Sequence, residues 1–142
     1  MNYLMSLILF LVLCMHTHEI PLLIHVDEMR SPKGNISVSV FVDQSSFKSE
    51  KPILHKTFSK DQYSDGRSFS CSIDLPKGNY GIVILDDENT DGEMNYNWVG
   101  IPKEGYGFSH FVHTGFSKPN FSDFVFTLND SLKDINITLR YF

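Results

Sequence analysis

Between Asp87 and Asn95 the chain reads DENTDGEMN. Asp87, Asn89 and Asp91 stand at alternate positions, Gly92 follows, and Glu93 and Asn95 continue the spacing. Alternate side chains of a tight loop can turn their oxygens toward one centre, and calcium takes six to eight hard oxygens at about 2.3–2.6 Å. Gly92 supplies the sharp turn and Glu93 a backbone carbonyl. The expected metal donors are therefore Asp87, Asn89, Asp91, Glu93 and Asn95, and the expected cofactor is a weakly held Ca2+. Where a full calcium loop places a bidentate Glu, this chain has Trp98. The preceding apolar run reads as a strand rather than a helix, so the loop is no EF-hand. The missing ligand has to come from Asn97, Asp86, Glu88 or elsewhere. Extracellular calcium modules work at a Kd of about 10⁻⁴ to 10⁻³ M, a range an incomplete ligand set can reach. The competing reading is a solvated hairpin turn, since NTDG alone is rich in turn formers.

Other candidate chemistry is thinner. His110 and His113 lie three apart, but a zinc site needs further ligands and none is evident nearby. Nucleophile-elbow, zincin, phosphate-loop and C-x-x-C motifs are absent. Carboxylates crowded into one turn do not straddle a sugar ring as a glycosidase pair must. The expectation is a non-enzymatic module, with a small hydrolase as the least favoured reading. Trp98, Tyr106 and Phe108, with Phe111 and Phe116, could form a platform for a carbohydrate or peptide that needs no ion. The plainer reading is that these aromatics close one end of the fold.

These residues need a frame to hold them. NISVSVFVD puts Ile36, Val38, Val40 and Val42 on one face, with Ser37, Ser39 and Phe41 opposite. Phe69, Cys71, Ile73 and Leu75 alternate in the same way, as do Ile135, Ile137, Leu139 and Tyr141. A period of two marks a half-buried strand. Residues 21–26, 52–58, 80–85 and 124–128 are further strand candidates. Residues 31–35 and 75–80 each place Pro, Lys, Gly and Asn between two runs, as tight connections require. A short helical turn is expected near residues 59–64. The expected fold class is all-β: a single-domain antiparallel β-sandwich, immunoglobulin-like or transthyretin-like, of about seven strands. Residues 96–122 form a long Gly- and aromatic-rich segment without a clean strand, expected to pack over one end of the sandwich.

The chain has 142 residues, enough for one domain with its own core, and a formal net charge of −5. That charge argues against nucleic-acid partners and anionic lipid, both of which reward basic surfaces. The uncharged start of the chain, with an apolar run from Leu4 to Met15, is too short to span a bilayer and suits a signal peptide. The expected organisation is a signal peptide over residues 1–15 and a β-sandwich domain over 20–142. The mature chain is expected to be an exported monomer without a transmembrane span, meeting an extracellular or periplasmic ligand. Cys14, as a lipid-anchor site, is a minority alternative, and Cys71 reads as a small core residue.

From Leu75 onward the text LPKGNYGIVILDDENTDGEMNYNWVGIPKEGYGFSHFVHTGFSKPNF resembles a bacterial exported family catalogued as domain of unknown function 2141. That family joins a P-x-G-x-aromatic strand to an H-D-x-N-x-[ND]-G-x-x-D-x-N loop. A G-I-P-x-E-x-Y-G-F-S segment and a P-x-F follow. The resemblance runs from Asn35 to about Leu139. It implies a small exported all-β domain and no particular activity. Two positions depart from the pattern: Asp86 replaces the usual His, and Asn95 replaces a later Asp, which removes one negative charge from the loop.

Overall fold

The computed structural model describes residues 18–142 apart from 64, 116 and 133. The expected signal segment with Cys14, and Phe116 of the aromatic set, lie outside the described residues. Eight strands form two sheets. In the first, β4 (Phe69–Pro76) and β8 (Asp134–Thr138) flank β1 (Glu19–Asp27). In the second the order is β3 (Leu54–Ser59), β2 (Asn35–Phe41), β5 (Gly78–Asp87), β6 (Gly105–Phe108), and β7 (Val125–Leu128) also pairs with β5. The described residues also hold three short helices: α1 (Gln44–Lys48), α2 (Lys60–Tyr63) and α3 (Phe121–Phe124).

All seven expected strands are present, and the all-β class stands. Ile24, Val38, Ile73, Ile84 and Ile137 belong to a core cluster drawing on both sheets, so the core lies between them. Cys71 is in that cluster, and burial pushes its thiol up to about 12, which keeps it unreactive. The first sheet is mixed rather than wholly antiparallel, because β8 runs parallel to β1. The two PKGN connections join strands of different sheets, so they are arches and not hairpins. At the second, the Tyr80 hydroxyl donates to the Pro76 carbonyl at 2.9 Å and staples the change of sheet.

Phe41 corrects the simple face assignment of β2. It is buried on the side opposite the main core, in a second cluster with Phe47, Phe108 and Phe124. Helices α1 and α3 cover that face, while Val42, expected inside, is 38 % exposed past the strand end. The Phe47 and Phe124 rings meet edge to face at 4.9 Å, an arrangement aromatic quadrupoles favour.

Strand β5 is long enough to pair with β6 over residues 83–86 and with β7 over residues 78–81. The handover falls at Ile82. There the buried Ser109 hydroxyl accepts from the Ile82 N–H at 3.0 Å and donates to the Phe124 carbonyl at 2.6 Å. One side chain thus satisfies the backbone groups where two edge strands abut. Ser109→Ala is expected to cost about 1–3 kcal/mol in urea unfolding, the penalty for orphaning buried polar groups.

Candidate functional site

Of the expected donors Asp87 ends β5 and Asn89 and Asp91 follow it, and the loop around them is closed by its own hydrogen bonds. The Asp87 carboxylate, 1 % exposed, accepts from the Asp91 N–H at 3.2 Å and the Gly92 N–H at 2.9 Å. The Asp91 carboxylate accepts from the Glu93 N–H and from the side-chain amides of Asn89 and Asn95, all at 2.9 Å. The Glu93 hydrogen bond, with the two amides, holds the Asp91 carboxyl below the usual carboxylate range. Asn89 also donates to Asn95 Oδ1 at 2.6 Å. Hydrogen bonds thus draw Asp87, Asn89, Asp91 and Asn95 together, with the amide nitrogens of Asn89 and Asn95 turned to the Asp91 carboxylate. Glu93 contributes its N–H, and its side chain is exposed.

The residue that sequence reasoning missed is Glu104. One carboxylate oxygen each from Asp87, Asp91 and Glu104 lie within 4.8 Å of one another. Glu104 is 4 % exposed, its Oε2 accepts from the Asn95 N–H at 3.2 Å, and its Oε1 has no hydrogen-bond partner. Burial, reinforced by the charges of Asp87 and Asp91, holds its carboxyl above the usual range. A tight excursion brings it there. Lys103 N–H bonds to the Asn95 carbonyl at 2.8 Å and Asn97 N–H to the Ile101 carbonyl at 2.9 Å. Asn97 Oδ1 accepts from the Val99 and Ile101 N–H groups. The chain from Asn95 to Lys103 is thus folded back on itself, and GIPKE delivers its Glu beside DENTDG.

The other suggested sources of a missing ligand are occupied. Asn97 caps the excursion as just described. Asp86 is fully buried against Lys60 and accepts from the Tyr141 hydroxyl. Glu88 pairs with Arg30, whose hydrogen bonds lower its carboxyl pKa. Arg30 also donates to the Lys103 carbonyl at 2.7 Å and lies over the Tyr141 ring, which ties the end of the excursion to the chain end.

Gly34 seats the loop from the other side. Its φ is +83°, and a Cβ there would stand 2.2 Å from the Asp87 carbonyl oxygen and 2.7 Å from Glu88 Cα. Gly34→Ala is expected to cost about 1–3 kcal/mol through backbone strain and displacement of the Asp87–Glu88 peptide. Thermal unfolding checks the cost, and amide exchange at Gly92 checks the displacement.

A cleft of about 440 Å³ opens beside the triad, lined by Arg30, Glu88, Asn89, Asn95, Tyr96, Lys103 and Glu104. Trp98 is 95 % exposed on the excursion tip, with Tyr96 and Val99 also exposed. Among the described residues the alternative aromatic platform does not assemble. Phe108 is buried in the second cluster, and Tyr106 is half-buried between His113, Phe108 and Phe142. The alternating β6 strand turns Phe108 toward α1 and α3, leaving Trp98, of these three, offered to solvent. His113 is buried among these rings, a packing role rather than a ligand's.

Among the described residues no helix is long and apolar enough to cross a membrane. The model of a family described as "Uncharacterized protein conserved in bacteria (DUF2141)" matches residues 24–136. No curated protein and no solved structure matches the chain.

Proposed function

This chain belongs to the DUF2141 family of uncharacterized bacterial proteins, and on that premise we propose an exported, non-enzymatic module whose acidic loop holds a divalent cation of calcium type. The orphaned Oε1 of Glu104, buried beside Asp87 and Asp91, carries the reading. Buried polar atoms are normally satisfied, and a cation is the partner that three converging carboxylates lack. Two oxygens on opposite sides of a calcium ion lie about 4.6–5.2 Å apart, so oxygens within 4.8 Å of one another suit one coordination sphere. On binding, the amides of Asn89 and Asn95 turn their oxygens inward and their contacts to Asp91 give way to cation contacts. The cleft admits the ion and leaves room for water or a ligand oxygen. The sheets would be arranged as in immunoglobulin-like or transthyretin-like sandwiches.

Millimolar calcium is the test. With a Kd of about 1 mM, 10 mM calcium stabilises the folded state by about 1.4 kcal/mol through mass action. In a domain of this size that is a rise of about 5 °C in melting temperature. A melting curve indifferent to calcium overturns the reading.

A second reading rests on Trp98, whose near-complete exposure suits stacking on a sugar or an apolar peptide side chain. A shift of Trp98 emission on glycan titration, unchanged by chelator, favours it over the cation module.

A further inference from the structure

Lys60 and Asp86 form the one described ion pair whose two side chains are both fully buried; the others are exposed on at least one side. Lys60 Nζ faces Asp86 Oδ1 and also donates to the Ser31 carbonyl at 3.0 Å. Oδ1 accepts no hydrogen bond of regular geometry. Oδ2 accepts from the Tyr141 hydroxyl, whose oxygen in turn accepts from the Arg30 N–H at 3.1 Å. An amine and a carboxyl group are thus held in contact, away from water, with a hydroxyl donor fixed on the far oxygen.

We propose that Lys60 and Asp86 condense into an intramolecular amide that crosslinks the start of α2 to the end of β5. A proton first passes within the pair from the ammonium to the carboxylate. The transfer frees the Nζ lone pair and leaves Cγ in a neutral carboxyl group. The Nζ lone pair attacks Cγ, and a C–N bond forms. Charge gathers on Oδ2, where the Tyr141 hydroxyl is already placed to stabilise it. The C–Oδ1 bond then breaks, and Oδ1 leaves as water with the acid proton and one amine proton. One amine and one acid become one amide and one water, so no oxidant, nucleotide or metal is consumed. Two groups fixed in contact react as if at very high concentration, and a desolvated lysine is a competent nucleophile.

Mass spectrometry of the denatured protein decides the matter. The intact mass is expected about 18 Da below that of the same polypeptide's sequence, the mass of one water. Proteolysis is expected to give a branched peptide joining Lys60 to Asp86, with no tryptic cut after Lys60. Lys60→Arg is expected to restore the sequence mass. Asp65–Gly66 and Asp91–Gly92 could lose the same mass by cyclising to succinimide. A deficit that persists in Lys60→Arg, or an unbranched peptide ending at Lys60, overturns the proposal, as does an intact mass equal to the sequence.

Discussion

Measured against the uncondensed Lys60–Asp86 pair, Asp86→Ala is expected to destabilise the protein by about 3–5 kcal/mol, a large share of what a domain this size has in reserve. Both side chains of the Lys60–Asp86 pair are fully buried. Alanine leaves the Lys60 amine in an apolar setting with, among the described residues, only the Ser31 carbonyl to accept from it. The Tyr141 hydroxyl loses its acceptor at the same time. The cost therefore comes from groups left behind and not from the attraction removed. Asp86→Asn keeps an acceptor for Tyr141 and is expected to cost less. Urea unfolding of the two variants gives the comparison. Equal losses would mean that the acceptor kept for Tyr141 contributes nothing at this position.

Glu104→Gln is expected to move two observables in opposite directions. In chelator, the variant is expected to be at least as stable as the parent, because one of three converging carboxylates is neutralised. With calcium present, its affinity is expected to fall about tenfold or more, since calcium sites are tuned by the number of charged ligands. The rise in melting temperature then shrinks to about 1–2 °C or less. The pH dependence separates the two states further. The Glu104 carboxyl is held above its ordinary range in the folded protein, chiefly by burial. The folded state therefore takes up its proton more readily than the unfolded chain does. Stability from this group is present at low pH and is lost as pH rises through its folded titration, above the usual glutamate range. In chelator the parent is expected to weaken across that window more than Glu104→Gln does. Calcium removes the difference by competing with the proton. Denaturation midpoints at a series of pH values, with and without calcium, provide the check. A variant that retains the full calcium response would exclude Glu104 as a ligand.

The strands were legible because alternation is local. Ile36, Val38 and Val40 need only the period of the backbone to share a face, and they are buried as that period requires. Strand β6 was not legible, because Gly105 and Gly107 have poor strand propensity and no side-chain pattern. Their reason is tertiary: a Cβ on Gly105 would stand 2.4 Å from the Tyr141 ring. Glycines at alternate positions were the available signal of close backbone approach. Phe41 was misread, and Phe108 was offered as a binding-surface alternative, for a related cause. A second apolar cluster exists only once α1 and α3 close over the outer face of β2 and β6.

The acidic loop divides along the same line. Which side chains could converge was settled by spacing within a few residues, so Asp87, Asn89 and Asp91 could be named from the text. Asp86 and Asp87 are neighbours in sequence, yet strand alternation sends one to Lys60 in the interior and the other to the loop. Glu104 joins Asp87 across the intervening chain because the excursion from Asn95 to Lys103 folds back on its own backbone hydrogen bonds. Short-range order follows from residue type and period. The completion of the site follows from loop closure, which depends on the glycines, the Asn97 cap and the Arg30 tether acting together in three dimensions.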